Sequence, residues 1–258
     1  DDGQGNIHLP PPTTQPYAKS AAEFIVEQIM THPGEITLVP IGPLTNIALA
    51  LRLEPRIVEN VREVVLMGGN AFCGGNATPA AEANIVNDPE AADVVFGADC
   101  PIVMAGLDVT EQIVMTGAQL DLIGEVDNDR ARHLHAILPY YRRFSLEASG
   151  LDGIHVHDST TISWLVAPQH FTSADHPVRV DHVSMHGAVL NSLALKLYGI
   201  SAATETPPGG IIVRKPGTQE PWGLIMETAW LPVFGVDMVE EKRAPSLSLA
   251  VACGSQIA

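Results

Sequence analysis

Apolar residues along this chain fall into short unbroken runs separated by glycine turns, and between the runs lie stretches with helical spacing. Ser20 and Glu23 have the spacing of a capping box, and Phe24, Ile25, Ile29 and Met30 follow at near-helical intervals, so a helix is expected before Pro33-Gly34. Ile36 to Val39 is a short apolar run with β-branched residues, expected as a buried strand, and Leu44 to Arg52 again reads as helix. The alternation repeats. Val64 to Met67 is a second strand closed by Gly68-Gly69, and Asp88 with Pro89 opens a helix reaching Phe96. Pro101 to Met104 is a third strand ended by Gly106, and a long helix is expected from about Ala131 to Ala148. Strands apolar throughout, alternating with helices, predict an α/β chain with a mainly parallel open sheet and flanking helices. In such sheets ligands sit beyond the carboxyl ends of the strands. The turns to watch are therefore Ile41 to Thr45, Gly68 to Asn84 and the one around Asp108.

The periodicity fades after about Ser173. Thr204 to Pro216 is rich in Pro and Gly, and the run Leu247 to Ile257 is apolar with little capping. The opening Gly3 to Pro16 reads as a loop.

Composition narrows the class. The chain has 258 residues, 46% of them hydrophobic and 17% charged, enough apolar content for a sizeable core. A net charge of -16 argues against a nucleic-acid partner. No apolar run is long enough to span a bilayer. Cys73, Cys100 and Cys253 are widely spaced and form neither a CxxC pair nor a zinc motif. With no membrane partner expected, the chain reads as a soluble protein of a reducing, cytoplasmic compartment.

Two clusters carry candidate chemistry. Residues Gly74 to Asn84 follow the second strand and place Glu82 between the carboxamides of Asn76 and Asn84. Carboxamides donate and accept while a carboxylate accepts, a mixture suited to sugar hydroxyls. The same pattern also fits an ordinary Asn/Gly loop with a helix cap. Farther on, His157 and Asp158 are adjacent before an apolar, helical stretch through Ile162, Leu165 and Val166. One can meet a cation and the other a leaving group; equally, Asp158 can cap the helix while His157 packs. Neither a GxGxxG nor a GK[ST] phosphate loop is present, and no GxSxG elbow.

Taken together, Ile41 to Asn46, Leu66 to Gly69, Gly75 to Asn84, Asp88 to Ala92 and His157-Asp158 resemble the inosine-uridine-preferring nucleoside hydrolase family in order and spacing. Asp2 to Asn6 resembles that family's loop before a Leu-Pro turn, here Leu9-Pro10. The resemblance is clear over residues 2–172 and implies a single domain over residues 1–258, with a Rossmann-like nucleoside hydrolase fold. It implies hydrolysis of the N-glycosidic bond of purine or pyrimidine ribonucleosides, assisted by calcium (Ca2+). By the same resemblance Asp158 and the main-chain carbonyl of Ile41 are metal ligands, Asn76, Glu82 and Asn84 bind ribose, Met67 lies near the sugar, and His157 protonates the leaving base. Family members are commonly homodimers or homotetramers.

One departure matters. The family's Asp-rich motif, Asp-x-Asp-x-x-x-Asp-Asp, which supplies most calcium ligands, the general base and the first strand, does not occur here. The fold is therefore expected to be incomplete at the N-terminus. The alternative expectation is a catalytically inactive relative that binds or assembles without turnover.

Overall fold

The computed structural model describes residues 5–8, 11–173, 178–181, 187–190, 192–229 and 247–249. Asp2 to Gln4, the Leu9-Pro10 turn, Cys253 and most of the closing apolar run lie outside them. The chain divides into two compact units, one of residues 1–18 and 109–160 and the other of residues 19–108 and 161–258.

In the larger unit, α1 (Ala21–Thr31) begins at the expected box: the Ser20 hydroxyl accepts from Glu23 N, and Glu23 accepts from Ser20 N. Gly34, at φ 76°, turns the chain after it. Then follow β1 (Thr37–Leu38), α2 (Thr45–Leu53), α3 (Ile57–Asn60) and β2 (Glu63–Met67). After a long loop come α4 (Ala83–Val86), α5 (Pro89–Phe96) and β3 (Ile102–Ala105). The three strands form a parallel sheet in the order β1-β2-β3, with Val64 opposite Ile102 and Met67 opposite Ala105. The fold is thus α/β, with the expected parallel sheet and flanking helices.

β2 is central and covered on both faces. Val64 and Leu66 join Ile47, Ala48, Ile85, Ala92 and Val95 in one cluster, while Val65 and Met67, on the opposite face, are also buried. This explains why β2 reads as continuous apolar sequence rather than as an alternation. A second cluster of Ala22, Ile29, Ala50, Ile57 and Val61 joins α1, α2 and α3. Cys100 packs against both clusters, and burial, with the Asp99 carboxylate adding to it, pushes its thiol up to about 11.

The smaller unit holds β4 (Val114–Thr116), α7 (Gly117–Ile123), α8 (Asp129–Ser149) and β5 (Gly153–His155). β4 and β5 pair antiparallel, and α7 has its own capping box from Thr116 and Gln119. The long helix α8 runs farther than expected at both ends, capped by Asn128 and stopped by Gly150 in the left-handed region. Arg142 on α8 bonds both Asp121 and Asp152, and its guanidinium holds the Asp152 carboxyl below the ordinary range. Two helices straddle the boundaries between the units, α6 (Leu107–Thr110) and α9 (Ser159–Val166).

The poorly patterned region after Ser173 contributes strands to the larger unit: β6 (Val178–Asp181), β7 (Gly187–Leu190), β8 (Gly210–Arg214), β9 (Pro221–Glu227) and β10 (Leu247–Leu249), with α10 (Ser192–Leu197). They form a sheet in the order β10-β6-β7-β9-β8, antiparallel except for the β10–β6 pair. Its core is Ala188, Leu190, Ala194, Leu195, Ile212, Ile225 and Ala229. β8 lies in the segment Thr204 to Pro216, which is rich in Pro and Gly and shows no period in the sequence. No described helix is long and apolar enough to cross a membrane.

Candidate active site

In the larger unit the candidate site is built where β2 ends. Met67, the last residue of β2, is 3% exposed, and its N–H donates to Pro40 O at 3.0 Å, which places the turn carrying Ile41 beside it. Ile41 is exposed, and no described group donates to its main-chain carbonyl.

The loop from Gly68 to Glu82 is folded on itself by its own polar groups. Asn70 Nδ2 donates to Cys73 O at 2.8 Å and Ala80 O at 3.2 Å, and the Thr78 hydroxyl accepts from Ala81 N at 2.9 Å. Gly75 is required by contact: a Cβ there would stand 2.2 Å from Ala81 O. Asn76 Oδ1 accepts from Ala83 N at 2.9 Å, tying the middle of the loop to the start of α4.

Glu82 is the anchor. It is 2% exposed and caps α4, its Oε2 accepting from Asn84 N at 2.9 Å, Ile85 N at 3.1 Å and Gly69 N at 2.9 Å. A carboxylate at a helix start meets N–H groups that have no partner within the helix, and here it also fixes the strand exit. Asn84 Nδ2 donates to Met67 O at 3.1 Å and approaches Met67 Sδ at 3.4 Å. Three polar atoms of this set make no hydrogen bond among the described residues: Glu82 Oε1, Asn84 Oδ1 and Asn76 Nδ2. Two acceptors and one donor are thus available to a ligand.

The helix-cap reading of this segment holds. Asp88 caps α5 by accepting from Ala91 N at 3.0 Å and takes a hydrogen bond from the Thr45 hydroxyl. Glu82 caps α4 with one oxygen and retains the other.

In the smaller unit, His157 follows β5. Its Nδ1 lies 2.8 Å from the hydroxyl of Thr110, which is wholly buried, and its ring lies 5.7 Å from that of His155. Val156 N donates to Ile113 O at 2.8 Å and Thr160 N to His157 O at 3.2 Å, so the backbone on both sides of the imidazole is fixed. Asp158 is exposed. The Tyr141 hydroxyl is pushed upward by burial first and then by the negative charge of Asp158.

Met67, Asn76, Glu82, Asn84 and the Ile41 turn therefore gather in one unit, and His157 and Asp158 belong to the other. Among the described residues no group of three His, Cys, Asp or Glu side chains is placed to hold a metal ion. Calcium takes about six to eight oxygens, so Asp158 and one carbonyl do not by themselves make its site. Sequence reading did not single out Thr110 or Asn70. Their signal was position alone, just past the carboxyl ends of β3 and β2.

The sequence model described as "Inosine-uridine preferring nucleoside hydrolase" matches residues 1–206, past Thr172, where motif reading lost the pattern. "Probable uridine nucleosidase 2" of Arabidopsis thaliana is 44% identical over 179 residues, which are 69% of this chain and 56% of that protein. "Pyrimidine-specific ribonucleoside hydrolase RihB" of Shigella flexneri is 38% identical over 217 residues, 84% of this chain and 67% of that one. Among solved structures, a purine-preferring ribonucleoside hydrolase from Gardnerella vaginalis is similar with a TM-score of 0.66 and 31% identity, over 71% of this chain and 58% of that one. The plant nucleoside hydrolase PpNRh1 is similar with a TM-score of 0.65 and 36% identity, over 67% of this chain and 54% of that one. The chain spans about half the length of the plant nucleosidases it matches.

Proposed function

Because the chain belongs to the inosine-uridine preferring nucleoside hydrolase family, we propose that it hydrolyses ribonucleosides to ribose and a free base. The observation that carries the reading is the state of Glu82. A carboxylate that is 2% exposed has one oxygen saturated by three backbone N–H groups and the other without a partner among the described residues. Glu82 Oε1 is not among the buried side-chain atoms that lack a partner, so it stands open to solvent and to a ligand. A sugar hydroxyl is a donor that Glu82 Oε1 can take. The same hydroxyls can donate to Asn84 Oδ1 and accept from Asn76 Nδ2.

In this reading Asn76, Glu82 and Asn84 hold the ribose, and Met67 packs near it. His157 protonates the base as the C–N bond breaks, and a water adds to the anomeric carbon and releases a proton to solvent, from which His157 is reprotonated, so that nucleoside and water become ribose and base. The Thr110 hydroxyl at Nδ1 orients the imidazole for that transfer. Calcium is proposed as the ion of the site, with Asp158 and the Ile41 carbonyl as ligands that this chain contributes. When bound, such an ion orients sugar hydroxyls and polarises water. The remaining ligands are not found among the described residues. The family match spans residues of both units, which supports reading them as one domain.

A second reading, a family member that binds a nucleoside without turnover, is supported by the absence of the Asp-x-Asp-x-x-x-Asp-Asp motif from the sequence. Ribose release from inosine and uridine, with calcium and with a chelator, separates the two. Calcium-dependent release by the 258-residue chain is the expected result. Binding of uridine with no release establishes the second reading, and neither binding nor release from folded protein removes the first.

A further inference from the structure

The exits of β2 and β3 are joined by more than the sheet. Leu107 N donates to Gly69 O at 2.9 Å, and Gly68 N to Ala105 O at 3.4 Å. Asp108 then accepts two successive main-chain N–H groups of the β2 exit, Oδ2 from Ala71 and Oδ1 from Phe72, each at 2.6 Å. Gly106 permits the approach, since a Cβ there would stand 2.9 Å from Gly69 O and 3.4 Å from Asp108 Oδ2. Gly69, at φ 78°, is gripped on its N–H by Glu82 Oε2 and on its carbonyl by Leu107 N. One carboxylate thus fixes the start of the loop, and the other ties its end back to the strand.

We infer that Asp108 is a positioning residue for sugar binding: its two-oxygen grip on Ala71 and Phe72 sets the path of the loop that carries Asn76, Glu82 and Asn84. The inference rests on the nucleosidase reading above. Two adjacent N–H groups pointing to one place form a positive concavity that an anion fills well. Charge-assisted bonds of this kind are short and stronger than neutral ones. An asparagine offers one acceptor atom and sets its own N–H2 against the second N–H. A glutamate keeps both acceptors with one additional methylene.

The test uses the whole chain with uridine as substrate. Losing one charge-assisted bond is worth about a factor of ten, so Asp108→Asn is expected to raise KM about tenfold with kcat within about twofold. Amide exchange at Ala71 and Phe72 should quicken, and Asp108→Glu should recover most of both. A merely structural role predicts faster exchange with KM unchanged, and that result overturns the inference, as does unchanged exchange. If the wild-type chain releases no ribose, the nucleosidase reading fails separately. The inference is then decided by amide exchange together with ribose-induced NMR shifts of the Asn76 and Asn84 side-chain amides. Shifts present in the wild type and lost in Asp108→Asn support it; shifts equal in both, or absent from both, overturn it.

Discussion

At the scale of single residues, the candidate site shows one carboxylate using its two oxygens differently. Glu82 spends one oxygen on backbone N–H groups, while the other makes no hydrogen bond among the described residues. Asn84 divides its amide in the same way, with Nδ2 on Met67 and Oδ1 outward from that bond. This division makes Asn84→Ala informative. Truncation removes one acceptor from the proposed sugar site, and the variant is expected to raise KM for uridine about tenfold. Steady-state kinetics check it, and unchanged KM and kcat would remove Asn84 from the site. The types and spacing of Asn76, Glu82 and Asn84 were legible in sequence because they lie on one short segment. That Glu82 reaches back to Gly69 was not, since the contact closes a loop of many residues.

Among the elements, legibility followed length and capping. α1 and α5 were predicted at their starts because Ser20-Glu23 and Asp88-Pro89 are local signals whose partners lie within one turn. The box on α1 is exposed and bonds to no candidate site residue, so its worth can be measured alone. Ser20→Ala is expected to lower stability by about 1 kcal/mol, read as a lower denaturation midpoint with unchanged slope. The four-residue helices α3, α4 and α6 have too few residues to show a period. α4 starts from a glutamate, outside the usual Ser, Thr, Asp and Asn preference, and the cap is visible only with the backbone in place. β8 was missed because Pro207, Pro208 and the neighbouring glycines mark a turn, yet the strand begins directly after them, held by β9.

For the whole molecule, acidity is the dominant long-range term. A net charge of -16 at pH 7 opposes compaction through self-repulsion. Raising monovalent salt from low to physiological strength shortens the screening length from about 30 Å to about 8 Å. The melting temperature is therefore expected to rise by about 2–4 °C, as followed by calorimetry in a calcium-free buffer. A fall instead would mean that ion pairs such as Arg142 with Asp152 and Lys215 with Asp99 outweigh the repulsion.

The sequence by itself determined the class of the fold and the family. Buried parallel strands, glycine exits and capped helices are local patterns, and the family motifs are runs of neighbouring residues. Tertiary structure decided what those residues do in concert. It brought Met67, Asn76, Glu82 and Asn84 to one strand end, put Asp108 on the backbone of the same loop, and set Thr110 against His157. It also built a mostly antiparallel sheet from the region without period. The physical reason is the same in each case: these bonds join residues distant in sequence, and their partners are fixed only when the chain has packed.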